Sequence, residues 1–145
     1  MSTGKGFKIL EHTADEYIKA YGTNLEEAFE SAALALFEVM TDTNTIDPVE
    51  RETIKVQAED EVGLLYTWLE SLILKFEVEG KLYSNFHVLR IEKVGEGFSL
   101  EAVVWGEAYT PNKHPSRTGV KAITYHRMEI QKEENIATVK FILDI

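Results

Sequence analysis

The chain has 145 residues, of which 44% are hydrophobic and 28% charged, a composition typical of a single globular domain spanning residues 1–145. Its formal net charge is −10 and it contains no cysteine, which excludes disulfides and thiolate metal sites. No apolar run approaches the ~20 residues of a membrane helix, and no signal peptide follows the N-terminus. We therefore expect a cytoplasmic protein without a membrane partner.

The negative charge is concentrated in the first part of the chain. Residues 1–80 carry 17 acidic and 6 basic side chains, whereas residues 81–145 carry 8 and 9. Nonspecific nucleic-acid affinity depends mainly on Lys and Arg releasing counterions from phosphates, so we expect no strong direct binding of DNA or RNA. An acidic surface either aids solubility, or docks on a basic partner or holds a cation.

Hydrophobic periodicity predicts two helices, Leu25–Met40 and Asp60–Glu79. Asn24 and Glu27 occupy capping-box positions of the first helix, and Gly80 follows the second where a C′ glycine belongs. Strands are predicted at Phe7–Leu10, Glu16–Tyr21, Thr53–Ala58, Leu82–Glu92, Phe98–Trp105, Val120–Lys132 and Ile136–Leu143. This order predicts an α+β fold, with two helices packed on one face of a mostly antiparallel sheet.

Two polar segments flank predicted strands. Glu11–Asp15 (EHTAD) is a turn between the first two strands, and its simplest interpretation is a turn stabilised by its own Asp and Thr side chains. The sequence ends on Asp144-Ile145 directly after a strand, which brings the terminal carboxylate close to the Asp144 side chain. Two such carboxylates repel unless a cation neutralises them, although a frayed, solvated terminus is the alternative.

A third segment concentrates bases in this acidic chain. Lys113, His114, Arg117 and Lys121 lie in and just after a long loop, and His126 follows on the next strand. This basic loop suits contact with a phosphate or with an acidic patch on a partner; an ordinary surface loop is the alternative. Strict alternation along the strand makes His126 a half-buried sheet histidine.

At these same three places the sequence resembles the archease family. The matching segments, in the family's order, are EHTAD at 11–15, LEEAF at 25–29, WGE at 105–107, VKAITYH at 120–126 and the terminal DI at 144–145. They extend from residue 11 to the last residue. One departure is Gly119, where the family commonly has an acid; a role of that acid in metal or partner contact is not transferred to this chain.

The resemblance implies a function. Archeases are accessory proteins of the RtcB-type RNA ligase of tRNA splicing; they promote its guanylylation and multiple turnover and are not themselves enzymes. It also implies a bound divalent cation, calcium first and magnesium or manganese as alternatives, with Asp15, Asp144 and Ile145 as ligands. His12, Lys113, His114, Arg117, Lys121 and His126 are the candidates for supporting that site or contacting the ligase.

Two other functions remain open at the level of sequence. A general chaperone or modulator of an RNA-modifying enzyme, such as a tRNA methyltransferase, suits an acidic chain equally well. A small metal-dependent hydrolase needs a general base and an open coordination position, and the sequence identifies neither.

Overall fold

The computed structural model describes residues 4–12 and 15–145, with His12 described by its main chain alone. Two α-helices, one short 3-10 helix at Thr43–Thr45 and seven strands follow one another along the chain. The elements are β1 (Gly6–His12), β2 (Asp15–Gly22), α1 (Leu25–Met40), β3 (Glu50–Ala58), α2 (Glu61–Glu79), β4 (Lys81–Val94), β5 (Gly97–Ala108), β6 (Ala122–Glu133) and β7 (Ile136–Asp144). The α+β class is confirmed. Within the described ranges no helix has both the length and the apolar character needed to cross a membrane.

The strands form two antiparallel sheets, where the sequence suggested one. The four-stranded sheet has the order β1-β2-β7-β6 and the three-stranded sheet the order β3-β5-β4. The two helices lie between them: α1 contacts β2, β7 and β4, and α2 contacts β6, β3 and β5. Each sheet therefore turns one face to the helices and leaves its other face uncovered by them.

The sequence of α1 explains why it can lie between two sheets. Most of its residues are buried, and four of these are alanines that permit close approach on more than one side (Ala28, Ala32, Ala33 and Ala35). A helix that is apolar nearly all round is an interior helix. The Trp68 indole N–H of α2 donates to the Phe29 main-chain oxygen of α1 at 3.0 Å, which joins the two helices inside the core.

The helix termini agree closely with the predicted signals. The Asn24 side chain accepts from the Glu27 N–H at 2.8 Å, as the capping box requires. Glu27, however, bonds back to the N–H and hydroxyl of Thr23 and not to Asn24, so the capping interaction extends one residue further. At the end of α2, Gly80 adopts the left-handed conformation with φ 68°, which its lack of a Cβ favours.

Strand β6 departs from the regular alternation predicted for it. Thr124 pairs with Ile142 and Glu129 pairs with Lys140, so the intervening residues of β6 outnumber those of β7 and form a bulge. Arg127, within the bulge, has φ 59°. The prediction of a half-buried His126 is therefore wrong: the residue is exposed and lies in the bulge, where the regular pairing with β7 is interrupted.

Candidate functional site

Two aspartates face each other where β2 begins and β7 ends. Asp15 is the direct cross-strand partner of Asp144, and both residues are exposed. Side chains in such a pair have Cβ atoms about 4.5–5.5 Å apart, a separation at which like charges repel. No Lys or Arg in the described part of the chain forms an ion pair with either one. The structure thus brings Asp15 and Asp144, two of the ligands that the resemblance implies, to the same edge of the sheet. We call this pair, with Ile145, the acidic rim.

The start of β6 closes the other side of the acidic rim. The main-chain N–H of Lys121 donates to the main-chain oxygen of Asp144 at 2.7 Å, and Ala122 pairs with Asp144. Lys121 is exposed and forms no ion pair with any described side chain. Ile145 directly follows Asp144 in the chain and contributes its main-chain oxygens to the acidic rim. On the opposite edge, His12 pairs with the buried Glu16 at the end of β1. Thr13 and Ala14 of the predicted turn lie outside the described residues.

The basic loop is stabilised by internal contacts. Lys113 donates to Asp47 at 2.7 Å and to Glu107 at 3.0 Å. The ring of His114 is fully buried, with its Nε2 2.8 Å from Glu107. Its Nδ1 accepts from the Thr110 N–H at 2.9 Å, so the neutral ring carries its proton on Nε2 and donates it to Glu107.

Glu107 is the centre of this network. The hydrogen bond from Lys113 is the largest of the effects that lower the pKa of Glu107 from 4.5 to about 2; the Asp47 N–H and His114 lower it further, while desolvation opposes them. No pattern in the sequence indicated this role, although Glu107 lies in the WGE segment. Position 106 requires a glycine, because a Cβ there would lie 1.8 Å from the Leu82 main-chain oxygen.

Arg117 is also engaged internally. Its guanidinium bonds to the Glu38 side chain at 2.7 Å and to the Glu38 main-chain oxygen at 3.0 Å. The N–H groups of Arg117 and Thr118 donate to Met40 and Val39, which satisfies carbonyls at the end of α1. Beside this contact, Gly119 has open space, since a Cβ there would meet nothing within 4 Å.

The bulge of β6 positions two further side chains. Tyr125 stacks on Tyr66 of α2 with ring centroids 4.1 Å apart. The Arg127 guanidinium lies 4.0 Å above the Tyr17 ring and pairs with Glu11 at 3.1 Å. The bulge therefore ties the VKAITYH segment to the EHTAD segment. Nothing in the sequence signalled the Arg127–Glu11 pair, because the partners are distant in the chain.

Known proteins resemble this chain over nearly its whole length. The family model described as Archease protein family (MTH1598/TM1083) matches residues 7–145. The chain belongs to the archease family. A protein archease of Sulfurisphaera tokodaii is 48% identical over 139 residues, covering 96% of this chain and 98% of that protein. The archease of Aeropyrum pernix is 44% identical over 140 residues, 97% of each chain.

Two solved structures resemble the archease fold described above. The solution structure of protein 1598 of Methanobacterium thermoautotrophicum superposes with a TM-score of 0.83 at 39% identity, covering 97% of this chain and 99% of the other. A crystal structure from Thermotoga maritima, described as an archease and possible chaperone, gives a TM-score of 0.59 at 22% identity, with 95% and 96% coverage. The second likeness concerns the fold alone.

The acidic rim has the donor chemistry of a hard cation site. Within the described residues no group of three or more His, Asp or Glu side chains is close enough to hold a metal ion. The aspartate pair and the main-chain oxygens of Ile145 remain, and these are the oxygen donors that calcium accepts, with water completing six to eight ligands. Two carboxylates in register without a basic partner are oxygen donors that a divalent cation could neutralise.

Proposed function

We propose that this archease is an accessory protein of an RtcB-type tRNA-splicing RNA ligase. It promotes guanylylation and multiple turnover of the ligase and is not itself an enzyme. Family membership supports the partner, and the in-register pair Asp15–Asp144 is the observation that carries the site. The residues that would hold a divalent cation, calcium first, are Asp15, Asp144 and Ile145.

The chemistry of the proposed site follows from its charges. A divalent cation held there would supply positive charge close to phosphate groups, which is the usual role of metals in phosphoryl and nucleotidyl transfer. Asp15 and Asp144 orient their oxygens from two hydrogen-bonded strands, which limits their movement. The main-chain N–H of Lys121 donates to the main-chain oxygen of Asp144. The Lys121 ammonium group has no ion-pair partner among the described side chains, so it can contact an anion. The nucleophile belongs to the ligase.

The test combines a ligase assay with calcium titration. Wild-type protein at substoichiometric amounts is expected to accelerate GTP-dependent guanylylation and turnover of the RtcB-type ligase from the same organism. Asp15→Asn and Asp144→Asn each remove a ligand charge, so calcium affinity by titration calorimetry should fall roughly tenfold or more, and activation should fall with it. Glu92→Gln, an exposed acid of β4 remote from the site, is the matched control.

Several outcomes separate the proposals. Ligase turnover that is unchanged by the protein, across metals and nucleotides, overturns the assignment. Equal calcium affinity in wild type and both aspartate variants overturns the site while leaving the partner intact. A general chaperone is the second candidate, because the Thermotoga relative is described as a possible chaperone. It predicts suppression of tRNA methyltransferase aggregation by the wild type and by both variants alike.

A further inference from the structure

The outer face of the four-stranded sheet carries three lysines in one cross-strand row. Lys8 of β1 pairs with Lys19 of β2, and Lys19 pairs with Lys140 of β7. We call these three residues the lysine row. In β2 and β7 the flanking residues Ile18 and Val139 are core residues, so alternation directs Lys19 and Lys140 away from the helices. Lys8 is exposed, and the other two are half-buried.

This arrangement opposes the stability of the isolated protein. Like charges directly opposite one another across strands repel, and here the pairing occurs twice in succession. Most bases of the described chain have an acidic partner within 4 Å, but none of the three lysines forms an ion pair with a described side chain. Glu129 of β6 is the cross-strand partner of Lys140, yet the two form no ion pair.

Protection of a sheet edge does not explain the row. Natural sheets use lysines on edge strands to prevent aggregation, and this would account for Lys8 on the edge strand β1. Lys19 and Lys140 lie on β2 and β7, the two internal strands of the order β1-β2-β7-β6. A repulsive row on internal strands, in a chain of net charge −10, points to a ligand that supplies the missing negative charge.

The dimensions and the overall charge select the kind of ligand. Neighbouring strands are about 4.8 Å apart, so the row spans roughly 10 Å, enough for two or three carboxylates. A long polyanion such as RNA would extend beyond the row onto a chain of net charge −10, and three lysines supply few of the phosphate contacts on which nucleic-acid affinity depends. An acidic patch on a folded protein can contact the lysine row alone, so it avoids repulsion by the acidic residues elsewhere on this chain.

We propose that the lysine row is a docking surface for an acidic patch of the partner protein. The inference rests on the ligase being that partner. The row shares the outer face with Asp15 and Asp144. Each aspartate is four residues away from the lysine on its own strand, or about 13 Å at 3.3 Å per residue. Docking at the row therefore turns the acidic rim toward the partner and fixes its distance from the contact.

The experiment neutralises the row and compares it with an equal charge change elsewhere. Lys8→Gln, Lys19→Gln and Lys140→Gln are combined in one variant. The control combines Arg51→Gln, Lys55→Gln and Lys93→Gln, exposed bases of the three-stranded sheet. Association with the immobilised RtcB-type ligase is measured at low and at high salt. The row variant should associate roughly tenfold or more slowly at low salt and depend less on salt, while the control stays within about twofold of wild type.

A second measurement excludes a structural effect. Because the substitutions relieve repulsion, the thermal midpoint of the row variant should be equal to or above that of wild type. Equal association of the row and control variants overturns this proposal alone. Salt-sensitive, submicromolar binding of oligouridylate that the row variant loses assigns the surface to RNA and also overturns it. A wild-type protein that fails to bind the ligase overturns the proposed function and this inference together.

Discussion

The acidic rim and the basic loop differ in how completely their charges are satisfied. In the loop, Lys113, His114 and Glu107 bond to one another or to nearby groups of the same chain. At the rim, Asp15 and Asp144 face each other, and no basic side chain of the described residues pairs with them. Charge density in a sequence therefore does not identify a binding surface, because Lys113, His114 and Arg117 of the basic loop are already engaged by groups of the same chain. Charges without an ion-pair partner among the described side chains include those of the rim and of the lysine row.

The largest effect is expected from removing the buried histidine of the loop. His114→Ala leaves Glu107 and the Thr110 N–H without their partner and opens a cavity, which should lower the free energy of unfolding by about 2–4 kcal/mol. Urea unfolding measures the change. His126→Ala, at an exposed histidine, should alter it by less than about 0.5 kcal/mol. Equal small effects at both positions would show that the loop contributes nothing to folding stability.

Acid should remove part of the same stabilisation. The folded-state pKa of Glu107 is about 2, below its ordinary value of 4.5. Between those values the unfolded chain binds more protons, so the contribution of Glu107 is complete above pH 4.5 and is lost as the pH falls toward 2. Urea unfolding across this range should show a shallower pH dependence for Glu107→Gln than for wild type. If the two pH profiles are parallel, the charge of Glu107 does not contribute to the stability of the folded protein.

The smallest effect, and one of opposite sign, is expected at the rim. Without metal, Asp144→Asn relieves the repulsion by Asp15 and should raise the free energy of unfolding by roughly 0.2–1 kcal/mol. Glu92→Gln should leave it unchanged. A marked loss of stability in the metal-free Asp144→Asn protein would show that the rim aspartates are as fully partnered as the loop residues, and the contrast between the two regions would fail.

Local signals in the sequence were sufficient for most of the elements. The predicted bounds of α1 are those observed, because Asn24 caps the helix and an apolar stripe runs its full length. The end of α2 was also predictable, because Gly80 readily adopts the left-handed conformation that terminates a helix. Such features depend on neighbours in the chain, and the sequence displays those neighbours directly. The grouping of Asp15 with Asp144 was implied by the family resemblance, and the pairing of β2 with β7 places the two residues opposite each other.

Features that depend on distant contacts were not predictable. The split into two sheets arises because α1 is covered on both sides, which periodicity does not distinguish from burial on one side. The bulge in β6 is stabilised by Arg127 on Tyr17 and by Tyr125 on Tyr66, contacts between separate elements. The buried state of His114 depends likewise on its contact with Glu107, which no local pattern in the sequence indicated.

The pairing of β2 with β7 has a consequence for the newly made chain. Strand β2 emerges from the ribosome well before β7, its partner on one side, because α1, α2 and four strands lie between them in the chain. Until β7 arrives, one edge of β2 is unpaired, and α1 lacks the cover of Val139 and Phe141. Such long-range pairing also slows folding relative to a helical bundle. Asp15 and Asp144 come together only when β2 pairs with β7, so a nascent or truncated chain that lacks β7 has no acidic rim.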